Sequence, residues 1–131
     1  MDTNLVSVIT VVYNDVSHIE KTISNVLKQT YPFLEYIVVD GASTDGTLDV
    51  IKKYDGKLKY VSEPDKGIYD AMQKGAQLAS GEWILFRNCG DFFFSPDAIE
   101  KVFNGYVDKG EDFILCNSRY FQDYGYKDMK P

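Results

Sequence analysis

Four polar clusters follow apolar runs along this chain, and each carries side chains able to hold a ligand. They are Tyr13-Asn14-Asp15, Asp40 to Asp45, Ser62 to Gly67, and Asn88 to Asp91. Asp40 opens Gly41-Ala42-Ser43-Thr44-Asp45-Gly46-Thr47, where glycines and hydroxyls let a ligand come close to the backbone. A carboxylate at that point can accept from a base N–H or a ribose hydroxyl; equally, Asp40, Ser43 and Asp45 can serve only to stabilise turns and cap the next helix. The loop lacks the lysine and hydroxyl pair of a Walker phosphate loop. Asp91 is suited to a hydrated Mg2+ or Mn2+ carried mainly by substrate phosphates, or else is a turn aspartate ahead of a helix. Lys66-Gly67 opens a helix whose first N–H groups can meet an anion, with Asp70 one turn in; the competing reading is a solvated turn with a favourable acidic first turn. Tyr13 and Asn14 can flank a planar base through ring face and amide, or Tyr13 can simply pack on a neighbouring loop. His18, the single histidine, is given no role.

The elements that must position these clusters alternate regularly. Leu5 to Val12 is a nearly continuous β-branched run, as in a strand buried on both faces of a parallel sheet. Ser17-His18-Ile19-Glu20 has the spacing of a capping box, and Ile19, Ile23, Val26 and Leu27 form one helical face before Tyr31-Pro32. Further strands are expected at Tyr36 to Val39, Leu58 to Val61, Trp83 to Phe86 and Phe113 to Cys116. Between them lie a helix marked by Leu48 and Ile51, and one with a stripe of Ile68, Ala71, Met72, Ala76 and Ala79 capped by Gly81. A last helix starts at Ser95-Pro96 and buries Ala98, Ile99, Val102, Phe103 and Tyr106. This order predicts an α/β fold: a doubly wound, mostly parallel sheet with right-handed crossovers. Ligands of such sheets bind outside the carboxyl ends of the strands, which is where all four polar clusters fall.

Composition narrows the partners. With 131 residues and 44% hydrophobic content, a single domain is expected. Twenty acidic against 14 basic residues leave a formal net charge of -6, which argues against nucleic acid or an anionic membrane surface as a direct partner. A phosphorylated ligand then needs a metal ion or backbone N–H groups. Cys89 and Cys116 lack CxxC spacing and read as reduced, buried small groups, and no apolar stretch approaches the ~18 to 20 residues of a membrane span, so the cytoplasm is the expected compartment.

Together these segments resemble the N-terminal, donor-binding part of family 2 inverting glycosyltransferases of the GT-A type, over Val6 to about Asn117. Val6 to Asn14 is similar to the family's first strand, Ile23 to Pro32 to its first helix, and Ile37 to Thr47 to its base-binding loop. Ser62-Glu63-Pro64-Asp65-Lys66-Gly67-Ile68-Tyr69-Asp70-Ala71-Met72 resembles a subgroup acting in surface polysaccharide assembly. The resemblance implies transfer from a nucleoside diphosphate sugar, a uridine one, to a glycan or lipid-linked acceptor, with the protein in the cytoplasm or peripheral to the inner face of the membrane. By the same resemblance, Thr10, Val11 and Tyr13 line the base pocket, and Asp40 binds base or ribose; Asn14 stands as a nucleotide-sugar-binding candidate on its amide chemistry. Asp70 and Asp91 then lie beside the diphosphate and metal, while Lys66 and Gly67 are candidates for nucleotide-sugar binding through their place at a helix start.

Two departures stand out. The family's Asp-X-Asp-Asp metal motif is here Asn88-Cys89-Gly90-Asp91, which leaves Asp91 as the nearest carboxylate and Asn88 as a carbonyl donor. The family's acceptor region and general base are expected in a segment after Pro131, so residues 1–131 are expected to be the donor portion of a glycosyltransferase domain. A sugar-nucleotide-binding module without catalysis is the runner-up. A phosphoacceptor receiver domain is a distant third, since Tyr13-Asn14-Asp15 does not supply paired acids after the first strand.

Overall fold

The computed structural model describes residues 5–103 and the backbone of 115–117. The elements are β1 (Val6–Val12), α1 (Val16–Leu27), β2 (Leu34–Asp40), α2 (Thr47–Lys52), β3 (Lys59–Ser62), α3 (Ile68–Leu78), β4 (Trp83–Phe86), α4 (Ala98–Phe103) and β5 (Leu115–Asn117). They form a five-stranded sheet in the order β3-β2-β1-β4-β5, parallel except for the antiparallel pairing of β4 with β5. The expected α/β sheet is therefore present. Of the expected fifth strand, Phe113 and Ile114 lie outside the described residues, as does Tyr106 of the last helix.

Side-chain alternation along the strands builds a core on each face. Val6, Val8, Val12, Tyr36 and Val38 point to the face covered by Ile19, Ile23 and Val26 of α1, Ile51 of α2, and Ala98 and Ile99 of α4. Ile9, Val11, Ile37 and Val39 point the other way, onto Ala71, Met72 and Ala76 of α3. Burial of each large aliphatic chain contributes about 1.5–3 kcal/mol, so two dry faces hold β1 and β2 rigidly at the centre. Strand order reverses between β1 and β4, so the carboxyl ends of these two strands flank the switch point.

Several expected boundaries move, each for a local reason. The Ser17 capping box does not cap α1, because Ser17 is already inside the helix; the Asp15 carbonyl accepts from the His18 and Ile19 N–H groups instead. His18 is exposed and bonds through Nδ1 to the Asp15 carboxylate at 2.7 Å. Gly81 is not a left-handed helix cap. A Cβ there would lie 2.6 Å from Ser7 Oγ and 2.7 Å from the Leu5 carbonyl, so it is close approach to β1 that demands glycine. α4 begins at Ala98 rather than Pro96, since Ser95 to Asp97 forms a turn in which Ser95 Oγ donates to Asp97 Oδ1 at 2.7 Å. Ile68 leaves the expected apolar stripe and is 49% exposed, which places it at the site rather than in the core.

Candidate active site

A cleft of about 400 Å3 opens at the carboxyl edge of the sheet between the ends of β1, β3 and β4. Val11, Val12 and Tyr13 form one wall, Asp65, Gly67, Ile68 and Ala71 another, and Asn88 and Cys89 a third, with Asp15 at the side. Of the residues singled out from sequence, Val11, Tyr13, Gly67 and Asn88 line this space. Thr10, Asn14, Asp40, Lys66, Asp70 and Asp91 are not among its lining residues, and each has another position.

Tyr13 follows the last residue of β1 and projects with 64% of its surface exposed, an available ring face at the mouth of the cleft. Asp65 is half-buried opposite it, with Oδ1 accepting from the Gly67 N–H at 3.0 Å. A Cβ built on Gly41 would sit 2.8 Å from Asp65 Oδ2 and 3.4 Å from Tyr13 Cδ1. Gly41 is thus the floor over which ring and carboxylate close. Asp65 lines the cleft, although within the Ser62 to Gly67 cluster the sequence assigns it no role of its own; its proline-flanked turn position carries no more weight than the neighbouring Glu63.

Asp40 is fully buried at the end of β2. Its Oδ1 accepts from Ser43 Oγ at 2.5 Å, and Oδ2 from the Ser43 N–H at 3.0 Å and Ser62 Oγ at 2.7 Å. The carboxylate therefore ties the 41–47 loop to the end of β3. Ser43 Oγ also accepts from the Asn14 N–H at 2.7 Å, and Asn14 Oδ1 accepts from the Thr44 N–H at 2.7 Å, which stitches the loop to the end of β1. Asn14 and Ala42 both take left-handed backbone angles, φ 48 and 66, held in place by this network. Asp45 completes it by accepting from Val16 at the start of α1 and Thr47 at the start of α2; the Thr47 hydroxyl holds its carboxyl below the usual range. Thr10 lies in the core, its hydroxyl 2.8 Å from the Tyr36 hydroxyl. Burial pushes the Tyr36 phenol far above its ordinary pKa, while the bond to Thr10 opposes the rise.

The 88–93 segment is held from α1. Gly90 N–H donates to Thr22 Oγ1 at 3.0 Å, and Asn25 both accepts from the Phe93 N–H at 2.6 Å and donates to its carbonyl at 3.3 Å. Asp91 is exposed, its N–H bonded to the Asn88 carbonyl at 2.9 Å. Asn88 Oδ1 is buried and has no hydrogen-bond partner, a cost of about 1–3 kcal/mol that a ligand can relieve. Among the described residues no group of three or more His, Cys, Asp and Glu side chains could hold a metal. Asn88 and Asp91 therefore do not form an all-protein cage for a divalent ion. Cys89 is half-buried rather than buried. Burial and the nearby Asp15 push its thiol up to about 12, so it lines the cleft as a neutral group and not as a nucleophile.

α3 begins at the cleft. Asp70 Oδ2 accepts from the Lys66 N–H at 2.9 Å, closing the first turn, while the Lys66 side chain is exposed. No helix among the described residues is long and apolar enough to cross a membrane.

Comparison with known proteins fits this architecture. The chain is 36% identical over 107 residues to an uncharacterized glycosyltransferase of Mycobacterium tuberculosis, covering 80% of this chain and 41% of that protein. It is 30% identical over 129 residues to the Bacillus subtilis protein named "Putative glycosyltransferase EpsH", covering 95% of this chain and 37% of that one. The chain thus spans about 40% of the length of these relatives. Among solved structures, a Pyrobaculum calidifontis mannosyltransferase in complex with GDP-Man and Mn2+ superposes with a TM-score of 0.71 at 28% identity, over 79% of this chain and 32% of that one. S. aureus TarS in complex with UDP gives 0.68 at 27% identity, over 76% and 31% of the two chains. The glycosyl transferase family 2 profile matches residues 7–131. With its GT-A sheet and a cleft at the strand ends, this chain belongs to glycosyl transferase family 2.

Proposed function

We propose that residues 1–131 form the donor-binding portion of a glycosyltransferase that takes a hexose from a nucleoside diphosphate sugar, a uridine one, and passes it with inversion to a glycan or lipid-linked acceptor in surface polysaccharide synthesis. The observation that carries this reading is the cleft that joins the exposed Tyr13 ring, the half-buried Asp65 and the unpartnered Asn88 carbonyl. An aromatic face and a carboxylate acceptor suit a planar base bearing an N–H. Bound nucleotides in the similar mannosyltransferase and TarS structures support it.

In this reading Tyr13 flanks the base and Val11 walls it, while Thr10, bonded to Tyr36 on the opposite face of the sheet, holds β1 to β2 beneath them. Asn14 and Asp40 shape the loop under the base; Asp40 meets the ligand once Ser43 gives up one of its bonds. Gly67 and the Lys66 and Asp70 turn present the first N–H groups of α3 to the diphosphate. A Mg2+ or Mn2+ ion held by Asp91 and Asn88 would neutralise charge on the leaving diphosphate. The acceptor's general base is proposed to lie outside residues 1–131, and the whole protein to work in the cytoplasm at the inner face of the membrane.

The test is thermal denaturation and calorimetric titration with UDP and GDP, each with Mn2+ or Mg2+. UDP with metal is expected to raise Tm and to lose most of its effect in Tyr13→Ala. Absence of binding by both nucleotides in both metals would sink the donor-site reading. A stronger response to GDP would retain the site and overturn the choice of uridine.

A further inference from the structure

Lys74, on the second turn of α3, is among the described residues the cation most fully engaged with the cleft-forming loop. Its side chain is 23% exposed, and Nζ donates to the Pro64 carbonyl at 2.8 Å. The same ammonium lies 3.5 Å from a Glu63 carboxylate oxygen and 3.8 Å from Asp70 Oδ2. An ammonium has three protons and no acceptor, and three oxygens surround this one. Asp70 in turn accepts from the Lys66 N–H at 2.9 Å. One side chain therefore reaches both ends of the turn from Glu63 to Lys66. Between those ends sits Asp65, which lines the cleft together with Gly67.

The chemistry of the turn explains the need. Glu63, Asp65 and Asp70 gather three carboxylates within eight residues of a protein whose formal net charge is -6. Like charges at such spacing repel and favour an open loop, and Pro64 cannot contribute an N–H to tie it down. Lys74 counters two of the three carboxylates and leaves Asp65 as the one turned to the cleft.

We propose that Lys74 is a positioning residue: through Pro64, Glu63 and Asp70 it fixes the 63–67 turn, and so sets Asp65 and Gly67 in the geometry that receives the nucleotide. It touches no ligand itself. The inference rests on the donor-site reading for its functional consequence, while the clamp can be measured without a ligand.

Two measurements on the full chain separate these. Hydrogen exchange without ligand should show Lys74→Met losing protection at the Lys66 and Gly67 amides, with the amides of β1 and β2 unchanged. Titration with UDP and Mn2+ should show affinity about tenfold weaker in Lys74→Met, because the turn must be ordered on binding, and close to wild type in Lys74→Arg. Unchanged exchange at both amides overturns the clamp. Wild-type affinity in a Lys74→Met protein of unaltered Tm overturns its role in binding, and equal loss in both variants assigns the effect to side-chain packing and overturns the charge argument. Should Lys74→Met fail to fold, Lys74→Gln, which keeps an N–H for Pro64 but no charge, carries the same comparison. If the wild type binds neither UDP nor GDP, the donor-site reading fails and the exchange experiment still decides the clamp.

Discussion

Individual residues at the strand ends divide into those that face the cleft and those that hold others in place. Asp40 is buried with three hydrogen bonds, so Asp40→Ala should cost about 2–4 kcal/mol through the stranded Ser43 and Ser62 donors, measured by urea denaturation. A loss below about 0.5 kcal/mol would mean that the network is not maintained in solution. Loss of nucleotide binding in that variant must accordingly be read beside its Tm. Cys89 gives a second residue-level expectation. With its thiol near 12, the peptide containing Cys89 should stay unalkylated by iodoacetamide at neutral pH and react as pH approaches that value, followed by mass spectrometry. Rapid labelling at pH 7 would contradict the half-buried site beside Asp15.

Elements are joined at the opposite end of the sheet by Glu35 on β2. Its carboxylate accepts from Ser7 Oγ at 2.6 Å, the Ser80 N–H at 2.9 Å, Ser80 Oγ at 2.8 Å and Lys59 Nζ at 2.6 Å, so it links β1, β2, β3 and the α3–β4 turn. Burial pushes this carboxyl up, but the lysine and the serine donors outweigh it and bring it down to about 2. A folded-state pKa below the unfolded value contributes stability above that unfolded value and loses it as pH falls toward the folded one. Wild-type stability should therefore decline from pH 4.5 toward 2 more steeply than that of Glu35→Gln, by chemical denaturation across that range. Parallel curves would remove Glu35 from the account. At this scale much was readable beforehand: β4 was expected at Trp83 to Phe86 and lies there, because a short apolar run bounded by Gly81-Glu82 and Arg87 has one place to go. The helix starts were less readable. Ser17 and Pro96 carry the right local chemistry, but α1 is begun by the Asp15 carbonyl and α4 starts only after the Ser95 to Asp97 turn.

The whole molecule adds its field to the site. A formal net charge of -6 should repel free UDP, so metal-free affinity should rise as salt increases from about 10 to about 150 mM and the Debye length falls from ~30 to ~8 Å. With Mn2+ present the dependence should flatten; a metal-free affinity that falls with salt would reveal a cationic site in the cleft. The sequence by itself determined the order of strands and helices and the mostly parallel character of the sheet, because apolar periodicity and short-range turn chemistry are local properties written residue by residue; the family was legible only as a resemblance, carried by motifs that occur in order from Val6 to Met72. It also placed every polar cluster at the correct edge, since in such a sheet loops after strands share one side. Only the tertiary structure decided which members of those clusters face the cleft. Asp40 ends β2 and Asp65 lies just after β3, yet one is buried under Ser43 and Ser62 while the other lines the opening with Tyr13. That choice depends on how the 41–47 and 63–67 loops pack across Gly41, and on a lysine several residues away that holds one of them, which are contacts between segments that no local pattern records.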